Sequence, residues 1–317
     1  MWQFLIFFIS AIVLFKSSEW VIKHTLSIAK IIGLPTFAIG FILLSISTSI
    51  PELSVAVFSS LEGKPGLSVG DILGSNFVDL TLILSLICLF GGTIHMKRDE
   101  NIGLVELLFI TSLLTIIIFQ IGGLSLTHGL ILIALFGFLI LRLYKGGKID
   151  KKVFEYRQEK DWKVLVKFIF SISLLLVSAR LIVYSALEIA EIFSLTATFV
   201  GSTIVAFGTS LPELAVDLRA IKKKEYNLAI GDLFGSAITN MTLVMGVLSL
   251  MSPGKIDLRP LTGLLPFLLT SVLIVWYLFS KNEKIIRRDT IILIALYILF
   301  LLSAAGIGIL SVSNLLP

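Results

Sequence analysis

The chain has 317 residues, of which 56% are hydrophobic and 15% are charged, and its mean hydropathy is +1.02. This composition excludes a soluble domain and indicates a protein that crosses the lipid bilayer many times. The formal net charge of +5 reflects basic residues in alternate loops, so it indicates membrane topology, with attraction to anionic lipid as a by-product, and not nucleic-acid binding.

In chain order, the apolar segments predict an all-α polytopic membrane protein with about ten transmembrane helices. Each segment is long enough to cross a hydrocarbon core of about 30 Å. The first segment lacks a preceding basic region and a small-residue cleavage site, so we expect a retained helix and not a signal peptide. The predicted helices span approximately residues 2–30, 34–61, 66–91, 102–120, 124–143, 162–190, 195–221, 227–251, 258–279 and 288–311.

The distribution of lysine and arginine predicts the orientation of these helices. Basic residues concentrate in the loops after the first, third, fifth, seventh and ninth segments, whereas the opposite loops hold only Lys64, Lys255 and Arg259. By the positive-inside rule, the basic loops are cytoplasmic and both termini are extracellular. We therefore expect a multi-pass protein of the cell membrane.

A duplicated motif indicates where the functional site lies. Residues 47–53 read S-T-S-I-P-E-L and residues 208–214 read G-T-S-L-P-E-L, and the same offset of 161 residues aligns G-D-I-L-G-S from Gly70 with G-D-L-F-G-S from Gly231 without a gap. A carboxylate at the centre of a bilayer costs about 3 kcal/mol or more. Two carboxylates at matching positions, Glu52 and Glu213, therefore predict a site built by both halves of the chain.

The number of segments gives the two halves opposite orientations. Each half contains five segments, and because five is odd the halves form an inverted repeat. Inverted repeats typically bind substrate near the membrane midplane and open alternately to the two sides. We therefore predict a single membrane transport domain over residues 1–317, with a first inverted repeat at 1–143, a cytoplasmic linker at 144–161 and a second inverted repeat at 162–317.

The motifs also predict the chemistry of the site. In both copies a proline, Pro51 or Pro212, follows the Thr-Ser pair, so we expect a helix break that exposes backbone carbonyls. Oxygen ligands suit hard cations such as Ca²⁺ and Na⁺, and the absence of nearby thiolates or paired histidines disfavours Zn²⁺ and copper. The candidate metal ligands are Glu52, Glu213, Asp79, Asn240, Thr48, Ser49, Thr209 and Ser210, and the hydroxyl groups of Ser75 and Ser236 share a helix face with Asp79 and Asn240.

Three further acidic residues have two interpretations each. Asp71 and Asp232 lie near predicted helix starts, where they either complement the helix dipole or line an ion vestibule. Asp217 lies four residues after Glu213 and has Ala56 as its counterpart. It either pairs with a cation at the cytoplasmic helix end or extends an acidic path.

The two motif pairs resemble the α-repeats of the sodium/calcium exchanger branch of the cation/calcium exchanger superfamily. The resemblance implies Ca²⁺ extrusion driven by Na⁺ influx, with Glu52 and Glu213 as ligands shared by both ions. It also implies that the backbone carbonyls of Ser45 and Ala206 complete the ion sites, together with the hydroxyl groups named above. No cofactor besides the transported ions and no obligate protein partner is expected. The G-N-A-x-E pattern typical of the proton-coupled branch is absent.

Two departures from the family pattern leave alternatives open. Several relatives have Asn in the first repeat and Asp in the second at the positions of Asp79 and Asn240, so the pair looks exchanged, and Ser47 replaces a common Gly. Ion stoichiometry therefore stays open, as does a potassium- or proton-coupled Ca²⁺ antiporter. A cation channel is the main rival class. An enzyme is not expected, because Ser49 and Ser210 have no histidine or lysine base at membrane depth.

Overall fold

The structure is a computed structural model that describes residues 2–32, 44–95, 98–146, 161–193, 195–222, 224, 226–254, 263–282 and 284–304. Within these ranges it is almost entirely helical, which confirms the predicted all-α class. The helices are α1 (Trp2–Ile32), α2 (Ser45–Thr48), α3 (Ile50–Leu61), α4 (Pro65–Val78), α5 (Leu84–Gly91), α6 (Arg98–Gly122), α7 (Leu126–Gly146), α8 (Asp161–Ile192), α9 (Ala197–Val200), α10 (Ala206–Thr209), α11 (Leu211–Lys222), α12 (Tyr226–Thr239), α13 (Met245–Met251), α14 (Leu264–Asn282) and α15 (Arg287–Ala304).

These helices coincide with the predicted segments to within a few residues. Five stretches are long and apolar enough to cross a membrane, and shorter apolar helices occupy the segments around α3, α6, α7 and α14. Most of the predicted linker, the first part of the second segment, the start of the ninth and the end of the tenth lie outside the described residues, as do Lys255 and Arg259.

Within the described residues, three spans contain a complete π-helical turn and are therefore not continuous α-helices. These turns are Asp79–Ile83 between α4 and α5, Gly201–Val205 between α9 and α10, and Asn240–Val244 between α12 and α13. A π-helical turn widens the backbone locally and is frequent at functional sites. Two of the turns begin at the predicted ligands Asp79 and Asn240, which are counterparts in the repeat.

Burial separates a central from a peripheral group of helices. Within the Pro65–Gly91 and Leu228–Met251 spans, 83% of an 18-residue apolar stretch is buried, against 39% of the corresponding stretch in Trp2–His24 and 33% in Trp162–Ile192. Helices α1 and α8 pack along each other, and a second apolar cluster, separate from the main core, joins them to buried residues of α3, α4 and α9. The interrupted spans therefore form the centre of the protein, and α1 and α8 lie at its edge.

Short backbone pairings join loops on each side of the bundle. Strand β1 (Ile94–His95) pairs antiparallel with strand β2 (Lys284–Ile285), and Leu124 bridges Gly254. The first pairing joins the loops after the third and ninth segments, and the second joins the loops after the fourth and eighth. Ten successive crossings put the members of each pair on the same side, so the pairings agree with the predicted order of crossings.

Close contact between helices depends on small residues, in particular Gly70 and Gly74 of α4. A Cβ atom added to Gly74 would lie 2.5 Å from the carbonyl oxygen of Ser202, and one added to Gly70 would lie 2.1 Å from that of Thr198. Both distances are far below van der Waals contact. These glycines therefore hold α4 of the first half against α9 and the following π-helical turn of the second half.

Candidate cation site between the repeats

Each Thr-Ser pair lies at an interruption of one residue between two helices. Ser49 separates α2 from α3 and Ser210 separates α10 from α11, with similar backbone angles of φ −82°, ψ 3° and φ −79°, ψ −1°. The interruptions are at the predicted positions but are milder than the predicted break. The N–H groups of Ser49 and Ser210 still donate to the carbonyl oxygens of Ser45 and Ala206, both at 3.1 Å. The same two carbonyl oxygens also lie within hydrogen-bond distance of the Thr48 and Thr209 hydroxyl groups, at 3.2 Å and 3.3 Å, so a cation would compete with these hydroxyls for the second lone pair of each oxygen.

The predicted ligands are gathered in the interior. All of them are buried, including the hydroxyl-bearing residues of both motifs. Ser49 Oγ is 3.5 Å from the carbonyl oxygen of Ser236, and Ser75 Oγ is 3.5 Å from that of Ala206. Each contact joins one half of the chain to the other, so the site is shared by both repeats.

Asp71 and Asp232 belong to this site, although the sequence left their role open. They lie in the interior of α4 and α12, well after the helix starts at Pro65 and Tyr226, so the helix-dipole interpretation is wrong. Thr209 Oγ1 donates to Asp71 Oδ1 at 2.9 Å. Thr48 Oγ1 donates to Asp232 Oδ1 at 3.3 Å, and this bond is the counterpart of the first in the repeat.

The three acidic residues that the sequence predicted as ligands have no hydrogen-bond partner. Glu52, Glu213 and Asp79 are at most 1% exposed, and none of their carboxylate oxygens has a partner among the described residues. Glu52 and Glu213 each occupy the third position of a helix, α3 or α11, where the positive end of the helix dipole favours an acid. Glu213 interacts electrostatically with Glu52, Asp79 and Asp232.

Such a group of carboxylates needs positive charge. Among the described residues, no lysine, arginine or histidine is buried. An uncompensated buried charge is costly, so cations are the natural counter-charge for this region. No three His, Cys, Asp or Glu side chains of the described residues converge as a preformed metal cluster. The buried hydroxyl and carbonyl oxygens of the two motifs are the other candidate ligands.

An asparagine that the sequence analysis did not single out lies between the repeats. Asn76 Nδ2 donates to the carbonyl oxygen of Ala237 at 3.0 Å. Ala237 is the residue that corresponds to Asn76 in the second repeat. Asn240 Nδ2 donates to Asn76 Oδ1 at 3.2 Å. Asn76 therefore marks the pseudo-two-fold axis. Its position directly after Ser75 in the second motif was the only sequence signal for it.

The family of the chain follows from comparison with known proteins. A family model described as "Sodium/calcium exchanger protein" matches residues 2–145 and, again, residues 163–305. The chain belongs to the sodium/calcium exchanger family. Members of this family are membrane transporters.

Relatives of this exchanger-family chain match it over nearly its whole length. An uncharacterized membrane protein of Methanocaldococcus jannaschii is 31% identical over 302 residues, which cover 94% of this chain and 96% of the relative. The sodium/calcium exchanger MaX1 of Methanosarcina acetivorans is 27% identical, with 94% and 97% coverage. A structure of the sodium-calcium exchanger NCX_Mj, soaked with Na⁺ and Ca²⁺, matches with a TM-score of 0.70 at 27% identity and covers 96% of this chain and 98% of that chain. The ten-helix fold of two inverted repeats is therefore shared.

Two charged contacts in this exchanger-family protein differ from the sequence interpretation. Asp217 does not pair with a cation at its helix end, because it is fully buried and both carboxylate oxygens lack a partner among the described residues. Arg219 instead pairs with Glu19 of α1. Lys16 also approaches Glu19, with its Nζ 3.6 Å from Oε2. The Arg219–Glu19 pair thus joins the peripheral α1 to α11 of the central group, whereas the Lys16–Glu19 pair lies within α1.

Proposed function

We propose that the protein is a secondary-active antiporter that exchanges Na⁺ for Ca²⁺ by alternating access at the site between the repeats. The observation that carries this proposal is the set of buried carboxylates without partners, Glu52, Asp79 and Glu213. They lie where two inverted repeats meet, which is where transporters of this architecture bind their ions. The relatives MaX1 and NCX_Mj are sodium/calcium exchangers, which supports the same pair of ions for this protein.

The charge of the site is compatible with either ion. Together the three carboxylates supply up to three negative charges, so one Ca²⁺ leaves a formal charge of −1, and several Na⁺ ions neutralise the site. Both ions prefer oxygen ligands. Because the two ions need the same carboxylates, they compete for the site, and exchange follows from this competition.

The inverted repeat supports alternating access as the mechanism. Two halves with the same backbone plan and opposite orientation give two states of similar energy that open to opposite sides. We propose that the ions remain near Glu52 and Glu213 while the surrounding helices rearrange. Peripheral helices α1 and α8 contact the central group through an apolar cluster, and apolar contacts are non-directional, so these two helices are suited to move relative to the central group.

The test is uptake of radiolabelled Ca²⁺ by proteoliposomes loaded with Na⁺, with K⁺ or with an acidic interior. We expect uptake only into the Na⁺-loaded vesicles. Equal uptake driven by a proton gradient in Na⁺-free buffer would assign the protein to the proton-coupled branch, and a requirement for K⁺ would indicate potassium coupling. Ca²⁺ flux down its own gradient, whatever the counter-ion, would indicate a cation channel.

We also propose that the protein resides in the cell membrane with both termini outside. The only cysteine, Cys88, is buried, so a Cys88→Ala background allows single-cysteine labelling. A cysteine replacing Lys64 should react with a membrane-impermeant maleimide in intact cells, and one replacing Lys284 should react only after permeabilisation. The opposite pattern would invert the proposed topology.

A further inference from the structure

Asp217 has no equivalent in the first repeat and no role in the exchange site described above. Its counterpart in the 161-residue register is Ala56. Asp217 is fully buried, and neither carboxylate oxygen has a hydrogen-bond partner among the described residues. A buried carboxylate without a hydrogen bond has lost its hydrating water molecules, and this loss is costly unless a ligand takes their place. We therefore expect a ligand at Asp217.

The nearest acidic neighbour of Asp217 is Asp232. The two carboxyl groups are close enough to interact directly. Asp232 uses Oδ1 to accept the bond from Thr48, whereas its Oδ2 has no partner in the described structure. Three carboxylate oxygens are therefore available in one buried place, one helical turn from Glu213.

The surrounding residues do not supply the missing positive charge. Arg219 is the nearest basic residue along α11, but its side chain is 66% exposed and pairs with Glu19. Lys222, at the end of the same helix, is exposed. When both are ionised, the two carboxylates place a charge of −2 inside the protein, and a proton shared between them is the alternative to a bound cation.

We propose that Asp217 and Asp232 form a second Ca²⁺ subsite, on the side of the central site that faces the Lys222–Lys224 loop. A divalent ion neutralises the two carboxylates, whereas a monovalent ion leaves a buried negative charge. The first repeat lacks such a subsite, because Asp71 has no acid where Ala56 stands. The role of this subsite in transport rests on the proposed function. Ca²⁺ that enters from the cytoplasm binds there, one helical turn from Glu213, before it reaches the central site.

The test is equilibrium binding of radiolabelled Ca²⁺ to the purified full-length protein in detergent, in buffer free of Na⁺ and K⁺. The wild type should bind a second Ca²⁺ per chain. Asp217→Ala, which copies the first repeat, and the isosteric Asp217→Asn should each bind one Ca²⁺ fewer, and so should Asp232→Asn. Glu106→Gln removes an exposed acid from α6 and serves as the matched control that keeps wild-type binding. Size-exclusion chromatography confirms that each variant is folded.

Several results would overturn the subsite. A single Ca²⁺ on the wild type would show that Asp217 and Asp232 hold a proton and not a metal, and unchanged binding in the Asp217 variants would remove Asp217 from any site. Loss of all Ca²⁺ in Glu213→Gln would mean that no independent subsite exists. The proposed function fails separately: Na⁺-driven uptake with one bound Ca²⁺ contradicts only the subsite, and two bound Ca²⁺ without Na⁺-driven uptake contradict only the exchange.

Discussion

In the first repeat Asp71 accepts a hydrogen bond from Thr209 of the second, and in the second repeat Asp232 accepts one from Thr48 of the first. The backbone plan is thus repeated, together with the glutamates and the π-helical turns at Asp79 and Asn240. The charges are not repeated. The acid Asp79 of the first repeat corresponds to the amide Asn240 of the second, and Ala56 corresponds to Asp217. The backbone can therefore be symmetric enough to give two states that open to opposite sides of the membrane, while the charges that bind ions differ between the two repeats.

The largest expected effect comes from the residues that both repeats share. Glu52→Gln and Glu213→Gln should each abolish Ca²⁺ exchange, because each removes one of the few negatively charged ligands of the site. Insertion and folding should be unaffected, since a neutral amide is less costly than a carboxylate in the membrane. Uptake into Na⁺-loaded proteoliposomes measures this. Wild-type exchange in either purified variant would refute the assignment.

The next effect tests the exchanged pair. Asp79→Asn deletes a charge from the site and should change the Ca²⁺ affinity or the Na⁺ dependence of exchange. The double variant Asp79→Asn with Asn240→Asp keeps the charge and moves it across the pseudo-axis near Asn76, so it should retain substantial exchange. Such non-additivity is expected of residues that share one site.

A double-mutant cycle of uptake rates measures the coupling between these two residues. Asn240→Asp alone completes the cycle. If the double variant shows only the sum of two independent defects, Asp79 and Asn240 do not share a site, and the roles of Glu52 and Glu213 are unaffected.

Packing between the halves should be sensitive to one methyl group. Gly70→Ala should destabilise the protein by about 1–3 kcal/mol, because the new Cβ meets a backbone carbonyl that cannot move freely. Gly103→Ala is the control, since a Cβ at Gly103 meets no atom within 4 Å. Thermal unfolding in detergent compares the two. Equal stability of both variants would mean that α4 does not pack tightly against the helix of the second half.

The smallest effect is expected at the edge of the molecule. Arg219→Ala should change stability by less than about 1 kcal/mol, because the pair with Glu19 is largely exposed on the arginine side. Its effect should appear in the rate of exchange if α1 moves against α11. If Arg219→Ala exchanges ions at the wild-type rate at both low and high salt, the Arg219–Glu19 pair does not restrain α1.

Much of this fold was predictable from the sequence because the bilayer allows few structures. Apolar segments of membrane-spanning length must be helices, and the 161-residue register identified Glu52, Glu213 and the interruptions at Ser49 and Ser210. The role of Asp71 was not predictable, because its partner Thr209 lies 138 residues away. Asn76 and the π-helical turns were also missed, since both depend on how the two repeats meet. Of the two interpretations of Asp217, the cation pair at its helix end was wrong, because the residue is fully buried.

The central claim, that one site binds both ions in turn, is tested most directly by measuring Ca²⁺ influx and Na⁺ efflux in the same proteoliposomes with two radiolabels. We predict that external Ca²⁺ triggers Na⁺ efflux, that the two fluxes keep a fixed ratio as the Ca²⁺ concentration is varied, and that Glu213→Gln abolishes both together. Ca²⁺ influx that continues without Na⁺ efflux, or a ratio that drifts with concentration, would contradict exchange at a shared site.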